Sequence, residues 1–254
     1  MNVSADDLSE ISAKSAIVID GETGDVLFEK NAYERRQMAS TTKIMSVLLV
    51  LESGEDLDKQ FVVDSEAIKV EGSSMGLQDG DKVTLRDLCC GMLLPSGNDA
   101  ANAAAVRVAG SIGKFVQLMN KKAAEIGCTN THFATPNGLD AGYNHYTTAS
   151  DLAKIARYAL RNQTFRNLIR TGSYSFSSLN TGRRFYVNTT NALLGNVPGV
   201  QGMKTGFTNK AKYCFIGLSQ SSKGHTYISV VLGGPTSAAR WQDSRTLLNY
   251  AYLH

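Results

Sequence analysis

Ser40 and Lys43 stand three residues apart in the stretch Met38-Ala39-Ser40-Thr41-Thr42-Lys43-Ile44-Met45. A helix starting here puts both side chains on one face, a turn apart. A serine hydroxyl beside an amine is a candidate nucleophile and base for acyl transfer. Taken alone, the pair reads more simply as a helix-capping serine and a surface lysine. Two further polar clusters follow it. Pro95-Ser96-Gly97-Asn98-Asp99 offers a hydroxyl and a carboxamide two residues apart, in a turn between two expected helices. Its plain reading is capping of a helix that starts at Asp99. Gly202-Met203-Lys204-Thr205-Gly206-Phe207-Thr208 closes an expected strand and places a lysine and two threonines beside a glycine turn, on an edge facing a cleft. Its plain reading is a solvated lysine at a strand end.

The elements around these clusters decide between the readings. Ile44, Met45, Val47, Leu48, Leu49, Val50 and Leu51 are apolar nearly all round, so the helix carrying Lys43 is expected to be buried, with Gly54 as its stop. Before it, Ala16-Ile17-Val18-Ile19-Asp20, a turn at Gly21-Glu22-Thr23-Gly24 and Val26-Leu27-Phe28 predict a hairpin. From about Phe61 to Gln163 the pattern turns helical: Thr84 to Leu94, stopped at Pro95; Asp99 to Val108; and Lys114 to Ile126. Thr131 to Thr148 holds Pro136, Asn137-Gly138 and Gly142 and reads as an ordered loop, after which Ser150-Asp151 caps a helix through Leu160. Thr171 to Asn188 reads as strands turning at Asn180-Thr181-Gly182. Gly199 to Lys204, Lys212 to Ser219 and Thr226 to Leu232 predict an antiparallel meander, followed by a last helix through Trp241, Leu248 and Tyr252.

The fold expected is therefore α/β of the α+β kind: an antiparallel sheet of about five strands flanked by helices, with a helical lobe inserted. One domain, 1–254, is expected, with a sheet lobe formed by 1–60 and 171–254 and a helical lobe formed by 61–170. No repeat, low-complexity run or linker interrupts it.

Composition narrows the function. The chain has 26 basic and 23 acidic residues, a balance that argues against nucleic-acid binding. No apolar run reaches the ~20 residues of a membrane span. Met1 to Lys14 is polar and does not read as a signal peptide, which leaves the compartment open. Cys89, Cys90, Cys128 and Cys214 lack CxxC spacing, and His132, His145, His225 and His254 are scattered. No metal site is expected, and the cysteines read as buried and reduced. No cofactor is implied.

Decoys of the first two clusters exist but fit less well. Ser111-Ile112-Gly113-Lys114 repeats Ser-x-x-Lys between two glycines, and Ser178-Leu179-Asn180 repeats Ser-x-Asn. Lys-Thr-Gly occurs once. The ordered triple Ser40-x-x-Lys43, Ser96-x-Asn98, Lys204-Thr205-Gly206 is close to the set found in class A β-lactamases and penicillin-binding proteins. With Leu94-Pro95-Ser96-Gly97-Asn98-Asp99-Ala100-Ala101, Asn137-Gly138-Leu139-Asp140 and Tyr146-Thr147-Thr148, the chain resembles the low-molecular-weight penicillin-binding proteins over nearly its whole length, specifically the serine D-alanyl-D-alanine carboxypeptidases. The resemblance implies a β-lactamase/transpeptidase-like fold in an extracytoplasmic enzyme of the bacterial cell envelope. Its substrate would be a peptidoglycan stem peptide ending in D-Ala-D-Ala, and β-lactams would inhibit it covalently.

The resemblance also assigns roles. Ser40 would attack the carbonyl, with neutral Lys43 as its base and Ser96 relaying a proton between Lys43 or Lys204 and the leaving amine. Asn98 would bind the substrate amide and hold Lys43. Burial and the charge of Lys204 would keep Lys43 neutral. The N–H groups of Ser40 and Phe207 would form the oxyanion hole. Lys204, Thr205 and Thr208, beside Gly206, would take the terminal carboxylate, and Arg240 matches a position that orients it. Two residues depart from the pattern: Gln201 stands where an acid is common, and Lys212 where a glycine is usual. The β-rich second domain and amphipathic anchor of many members do not follow, so any membrane attachment is expected through segments absent from this chain. A D,D-endopeptidase or a non-hydrolysing β-lactam sensor is compatible with the same residues. A β-lactamase is disfavoured, because the loop from Thr131 to Ser150 holds no glutamate to position a deacylating water.

Overall fold

The computed structural model describes residues 8–140, 142 and 144–253. The amino-terminal hairpin is β1 (Ser15–Asp20) and β2 (Val26–Lys30), and the meander is β7 (Val200–Thr208), β8 (Lys212–Gln220) and β9 (Thr226–Gly234). They form one five-stranded antiparallel sheet in the order β2-β1-β9-β8-β7. The first and last parts of the chain thus share a sheet, as the pattern of apolar runs predicts. Strand periodicity divides its two faces. Ala16, Val18, Tyr227 and Val231 pack with Leu247 and Ala251 of the last helix, α7 (Ser237–Ala251). Ile17, Ile19, Ile228, Val230 and Leu232 face the other way, into the main core.

That core is centred on α1 (Lys43–Glu52), in which every residue from Lys43 to Val50 is buried. Ile44, Val47 and Leu48 are fully buried, each worth about 1.5–3 kcal/mol of transfer free energy. Around α1 stand α2 (Leu85–Leu93), α3 (Asn98–Ala109), α4 (Ile112–Ile126), α5 (Ala149–Ala159) and α6 (Gln163–Ile169). Thr84 closes a capping box with Asp87 at the head of α2, and glycines in the left-handed region, Gly110 and Gly127, end α3 and α4.

Several details differ from the sequence expectations. Helix α5 is capped by Thr148, which accepts from the Asp151 N–H, two residues earlier than expected. Helix α6, capped by Asn162, was not expected, because seven residues are too few to show a period. Strand β7 runs through Lys204-Thr205-Gly206 to Thr208, so the cluster lies within the sheet's edge strand and the turn follows it. The strands β5 (Ser173–Ser177) and β6 (Arg184–Asn188) form a separate hairpin. Its hydrogen bonds run to the helical side, from Tyr174 Oη to Asp87 and from the Lys82 N–H to Ser178 Oγ. The expected sheet lobe therefore loses this hairpin. A short pair, β3 (Phe61–Val62) with β4 (Lys82–Val83), completes the strands.

All four cysteines are free and buried. Burial raises each thiol, Cys90 and Cys128 to about 12 and Cys214 to about 11. Among the described residues no helix is long and apolar enough to cross a membrane.

Candidate active site

Ser40 sits in a single 3-10 turn, Ala39–Thr42, that leads directly into α1. The nucleophile candidate is therefore one turn ahead of the α-helix that carries Lys43. Two backbone segments press against this turn, one from β7 and one from the 131–148 loop, and each has glycine at the contact. A Cβ on Gly206 of β7 would lie 3.0 Å from the Ser40 and Thr41 nitrogens. A Cβ on Gly138, which has φ +92°, would lie 2.1 Å from the Ala39 carbonyl oxygen. Ala39 itself holds φ +48°, in the left-handed region that costs an L-residue about 1–2 kcal/mol. The Ser40 N–H makes no backbone hydrogen bond among the described residues.

Lys43 is completely buried. Its Nζ donates to Asn98 Oδ1 at 2.7 Å and to the Asn137 carbonyl at 2.6 Å, and lies 2.9 Å from Ser40 Oγ, where the neutral amine's lone pair faces the hydroxyl. Burial first, and the charge of Lys204 second, hold this amine well below the usual lysine range, with Asp99 opposing. Lys204 is also fully buried, and its Nζ donates to the Thr205 carbonyl at 2.9 Å. Burial, then the charge of Arg240, lower it to about 7.

Asn98 is the first residue of α3, where its Nδ2 donates to the Glu71 carbonyl at 2.8 Å. That bond fixes the amide so that Oδ1 faces Lys43. Asp99 does not cap this helix, which begins at Asn98. Its carboxylate instead accepts from the backbone N–H groups of Met75, Gly76 and Leu77, tying a loop down beside the site. Ser96 is buried in a left-handed conformation, φ +67°, in the α2–α3 turn. It takes no part in the hydrogen bonds of Lys43.

On the sheet edge, Thr205 Oγ1 lies 2.6 Å from Thr190 Oγ1, and Thr208 Oγ1 accepts from the Ala211 N–H in the β7–β8 turn. The Phe207 ring is half-exposed and packs, tilted by 37°, on Tyr213 at 4.5 Å between centroids. Arg240 is buried. Its guanidinium lies over Trp241 at 4.1 Å and reaches the Gly206 and Cys214 carbonyls only at 3.5 and 3.4 Å. The fork is thus oriented but weakly satisfied, and no carboxylate meets it among the described residues. Its burial sets it apart from a solvated surface arginine.

The structure adds residues that sequence reasoning passed over. Asn137 supplies a carbonyl to Lys43. His145 is fully buried, accepts at Nδ1 from the Ala134 N–H at 3.0 Å and lies 2.7 Å from Thr42 Oγ1 through Nε2. With Nδ1 accepting, Nε2 carries the proton and donates to Thr42, whose hydroxyl donates to the Ala39 carbonyl at 2.7 Å. A chain of hydrogen bonds therefore joins the 131–148 loop to the turn that presents Ser40. Burial, then the charges of His132 and Lys43, lower His145 to about 4. The Asn137-Gly138 pair was the available signal for this loop, and it reads as an ordinary turn until Gly138 is seen against Ala39.

An antiparallel sheet flanked by helices, with a serine at the head of a buried helix and a buried lysine on its hydroxyl, defines the class of serine acyl-transfer enzymes that holds the DD-peptidases and the class A β-lactamases. A family model described as D-alanyl-D-alanine carboxypeptidase matches residues 1–236. The D-alanyl-D-alanine carboxypeptidase DacF of Bacillus subtilis is 38% identical over 249 residues, 94% of this chain and 62% of that protein. The D-alanyl-D-alanine carboxypeptidase of Streptomyces sp. strain K15 is 35% identical over 95% of this chain and 88% of its own length. Among solved structures, the Streptomyces K15 DD-transpeptidase superposes with a TM-score of 0.90 at 35% identity, covering 96% of this chain and 98% of that one. The carboxypeptidase of Mycobacterium tuberculosis H37Rv gives 0.89 at 33% identity, covering 96% and 92%. The chain belongs to the D-alanyl-D-alanine carboxypeptidase family. It spans less than two thirds of the length of DacF.

Proposed function

We propose that this chain is a serine D,D-carboxypeptidase that removes the terminal D-alanine from a peptidoglycan stem peptide through an acyl-enzyme on Ser40. The observation that carries the reading is the Lys43 Nζ, desolvated and 2.9 Å from Ser40 Oγ. As Ser40 attacks the penultimate D-alanine carbonyl, neutral Lys43 takes the hydroxyl proton. The negative oxygen that forms is met by the N–H groups of Ser40 and Phe207. The C–N bond then breaks, and Ser96 passes a proton from Lys43 or Lys204 to the departing amine of D-alanine. Water releases the shortened peptide and restores Ser40.

Asn98 does two jobs in this reading: it orients Lys43 and hydrogen-bonds the substrate amide. Lys204, Thr205, Thr208 and Arg240 form the terminal-carboxylate pocket, with Gly206 and Phe207 as its strand edge. The weakly satisfied Arg240 fork supports that role, because a bidentate carboxylate offers better partners than two long carbonyl contacts. Residues 1–254 act as one catalytic domain, with the β5–β6 hairpin grouped on the helical side. The enzyme works outside the cytoplasm in the bacterial cell envelope. β-Lactams acylate the same serine.

The test is mass spectrometry of the protein after benzylpenicillin, with the adduct mapped to a peptide, alongside D-alanine release from a pentapeptide. The expected result is one adduct on Ser40, its loss in Ser40→Ala, and free D-alanine from the wild type. An adduct on Ser111 instead would overturn the assignment. Cleavage of cross-linked dimers without D-alanine release would make the enzyme an endopeptidase, acylation with no peptide turnover a sensor, and rapid nitrocefin turnover a β-lactamase.

A further inference from the structure

A second polar concavity lies at the far end of the sheet from Ser40. It is a cavity of about 310 Å³ lined by Arg157, Arg161, Arg166 and Arg170, with Gln201 and Glu22 at its walls. Gln201 is five residues before Gly206 on β7, roughly 17 Å along an extended strand, so this cavity is separate from the catalytic turn. A neighbouring cavity of about 380 Å³ shares Arg157 and Arg161 and adds Lys154.

Among the described residues, four arginines without a carboxylate partner gather here, whereas the others of that kind, such as Arg35 and Arg240, stand apart. Arg36, Arg86, Arg107 and Arg183 each pair with a carboxylate. Arg157, Arg161, Arg166 and Arg170 have no carboxylate partner among the described residues. Neutral groups aim them instead. Arg157 donates to the Glu22 carbonyl, and Arg166 donates to the Leu160 carbonyl and to Gln163 Oε1. Arg170 donates to Gln201 Oε1, and Arg161 rests over the Tyr158 ring at 5.1 Å. Arg157 and Arg166 are partly buried, which costs freedom and solvation without any opposing charge in return. Four oriented forks around a space of this size suit a compact anion bearing several charges, and guanidinium geometry matches phosphate oxygens. Glu22 lines the same cavity and opposes an anion there, while Lys154, in the neighbouring cavity, is already paired with Asp151.

We propose that this arginine-lined cavity is a binding site for a phosphate-bearing anion of about diphosphate size, independent of the catalytic serine. The proposal stands whether or not the carboxypeptidase reading does. The test is titration calorimetry of the whole chain with inorganic pyrophosphate at fixed ionic strength, with cosedimentation on phosphatidylglycerol vesicles as a second arm. Two variants read the site in place. Arg161→Gln/Arg170→Gln removes two exposed forks, and Gln201→Glu supplies the missing countercharge beside Arg170. Saturable pyrophosphate binding, weakened about tenfold or more by each variant, supports the proposal. Vesicle binding that falls in the same variants, without pyrophosphate binding, supports it and makes a lipid headgroup the source of the phosphate. Absence of both, or binding unchanged in both variants, overturns it. The thermal melts of both variants should match that of the wild type, which shows that they are folded.

Discussion

Replacing Thr42 by valine keeps the side chain's shape and removes one hydroxyl. In the structure that hydroxyl accepts from His145 Nε2 and donates to the Ala39 carbonyl, and all three residues are fully or almost fully buried. Thr42→Val therefore orphans a buried donor and a buried acceptor. Each such group costs about 1–3 kcal/mol, so a loss of roughly 3 kcal/mol is expected. For a chain of this size that is about 6–12 °C in melting temperature. Function should suffer too, because Ala39 is held in a left-handed conformation next to Ser40 and would relax once released. A displacement of about 1 Å in a nucleophile costs on the order of 10² in rate. The assay is a thermal melt paired with the rate of Ser40 acylation by a fluorescent penicillin. The double variant Thr42→Val/His145→Phe should lose less than the sum of its singles, since both act through one hydrogen-bond chain. A melting shift under about 2 °C together with acylation within about twofold of wild type would refute the reasoning.

Four more outcomes are expected. His145 is depressed to about 4 in the folded protein against roughly 6.5 unfolded, so the unfolded state binds the extra proton as pH falls. Stability should drop by about 3 kcal/mol between pH 6.5 and 4 and then level off, as read from urea midpoints, and His145→Phe should flatten that window. Lys204 is lowered to about 7, so its buried charge burdens the fold most below pH 7 and progressively less toward pH 10. Lys204→Met should raise the unfolding free energy at pH 6 by of order 3 kcal/mol, read from urea midpoints, while abolishing D-alanine release. Gly138→Ala should leave a folded protein whose acylation rate falls by about 10² or more, because the new methyl meets the Ala39 carbonyl. Asn98→Ala should slow acylation and move its acidic limb, since Lys43 loses its Oδ1 acceptor while keeping the Asn137 carbonyl, and the pH profile of penicillin labelling measures it.

The sheet and most helices were legible because their periods are long and their stops explicit. Ile17 and Ile19 alternate with Ala16 and Val18 on opposite faces, and Gly110 and Gly127 end helices in the conformation that glycine favours. The Ser40–Lys43–Asn98 cluster was legible as two short patterns in order, Ser-x-x-Lys and Ser-x-Asn, which the structure joins by hydrogen bonds, while the third pattern meets the Ser40 turn through Gly206. Other features depend on contacts between distant segments, and a local pattern cannot carry them. Helix α6 has seven residues, and the β5–β6 hairpin finds its partners across the fold at Lys82 and Asp87. Asp99 reads locally as a cap, yet its carboxylate serves backbone more than twenty positions earlier in the chain. His145 looked like one of several scattered histidines, and its role emerges only where the 131–148 loop closes on Thr42.

The buried thiols give this molecule an internal clock for its own opening. Cys89 and Cys90 lie in α2, Cys128 follows α4, and Cys214 sits in β8 beside Arg240. None is presented to solvent as a reactive thiolate, so a disulfide-exchange reagent meets each one only when its surroundings part. Labelling all positions at one rate would mark the helical side and the sheet as a single cooperative unit. Faster modification in α2 than in β8 would show that the helical side opens first, carrying Asn98 away from Lys43 before the strand edge is lost.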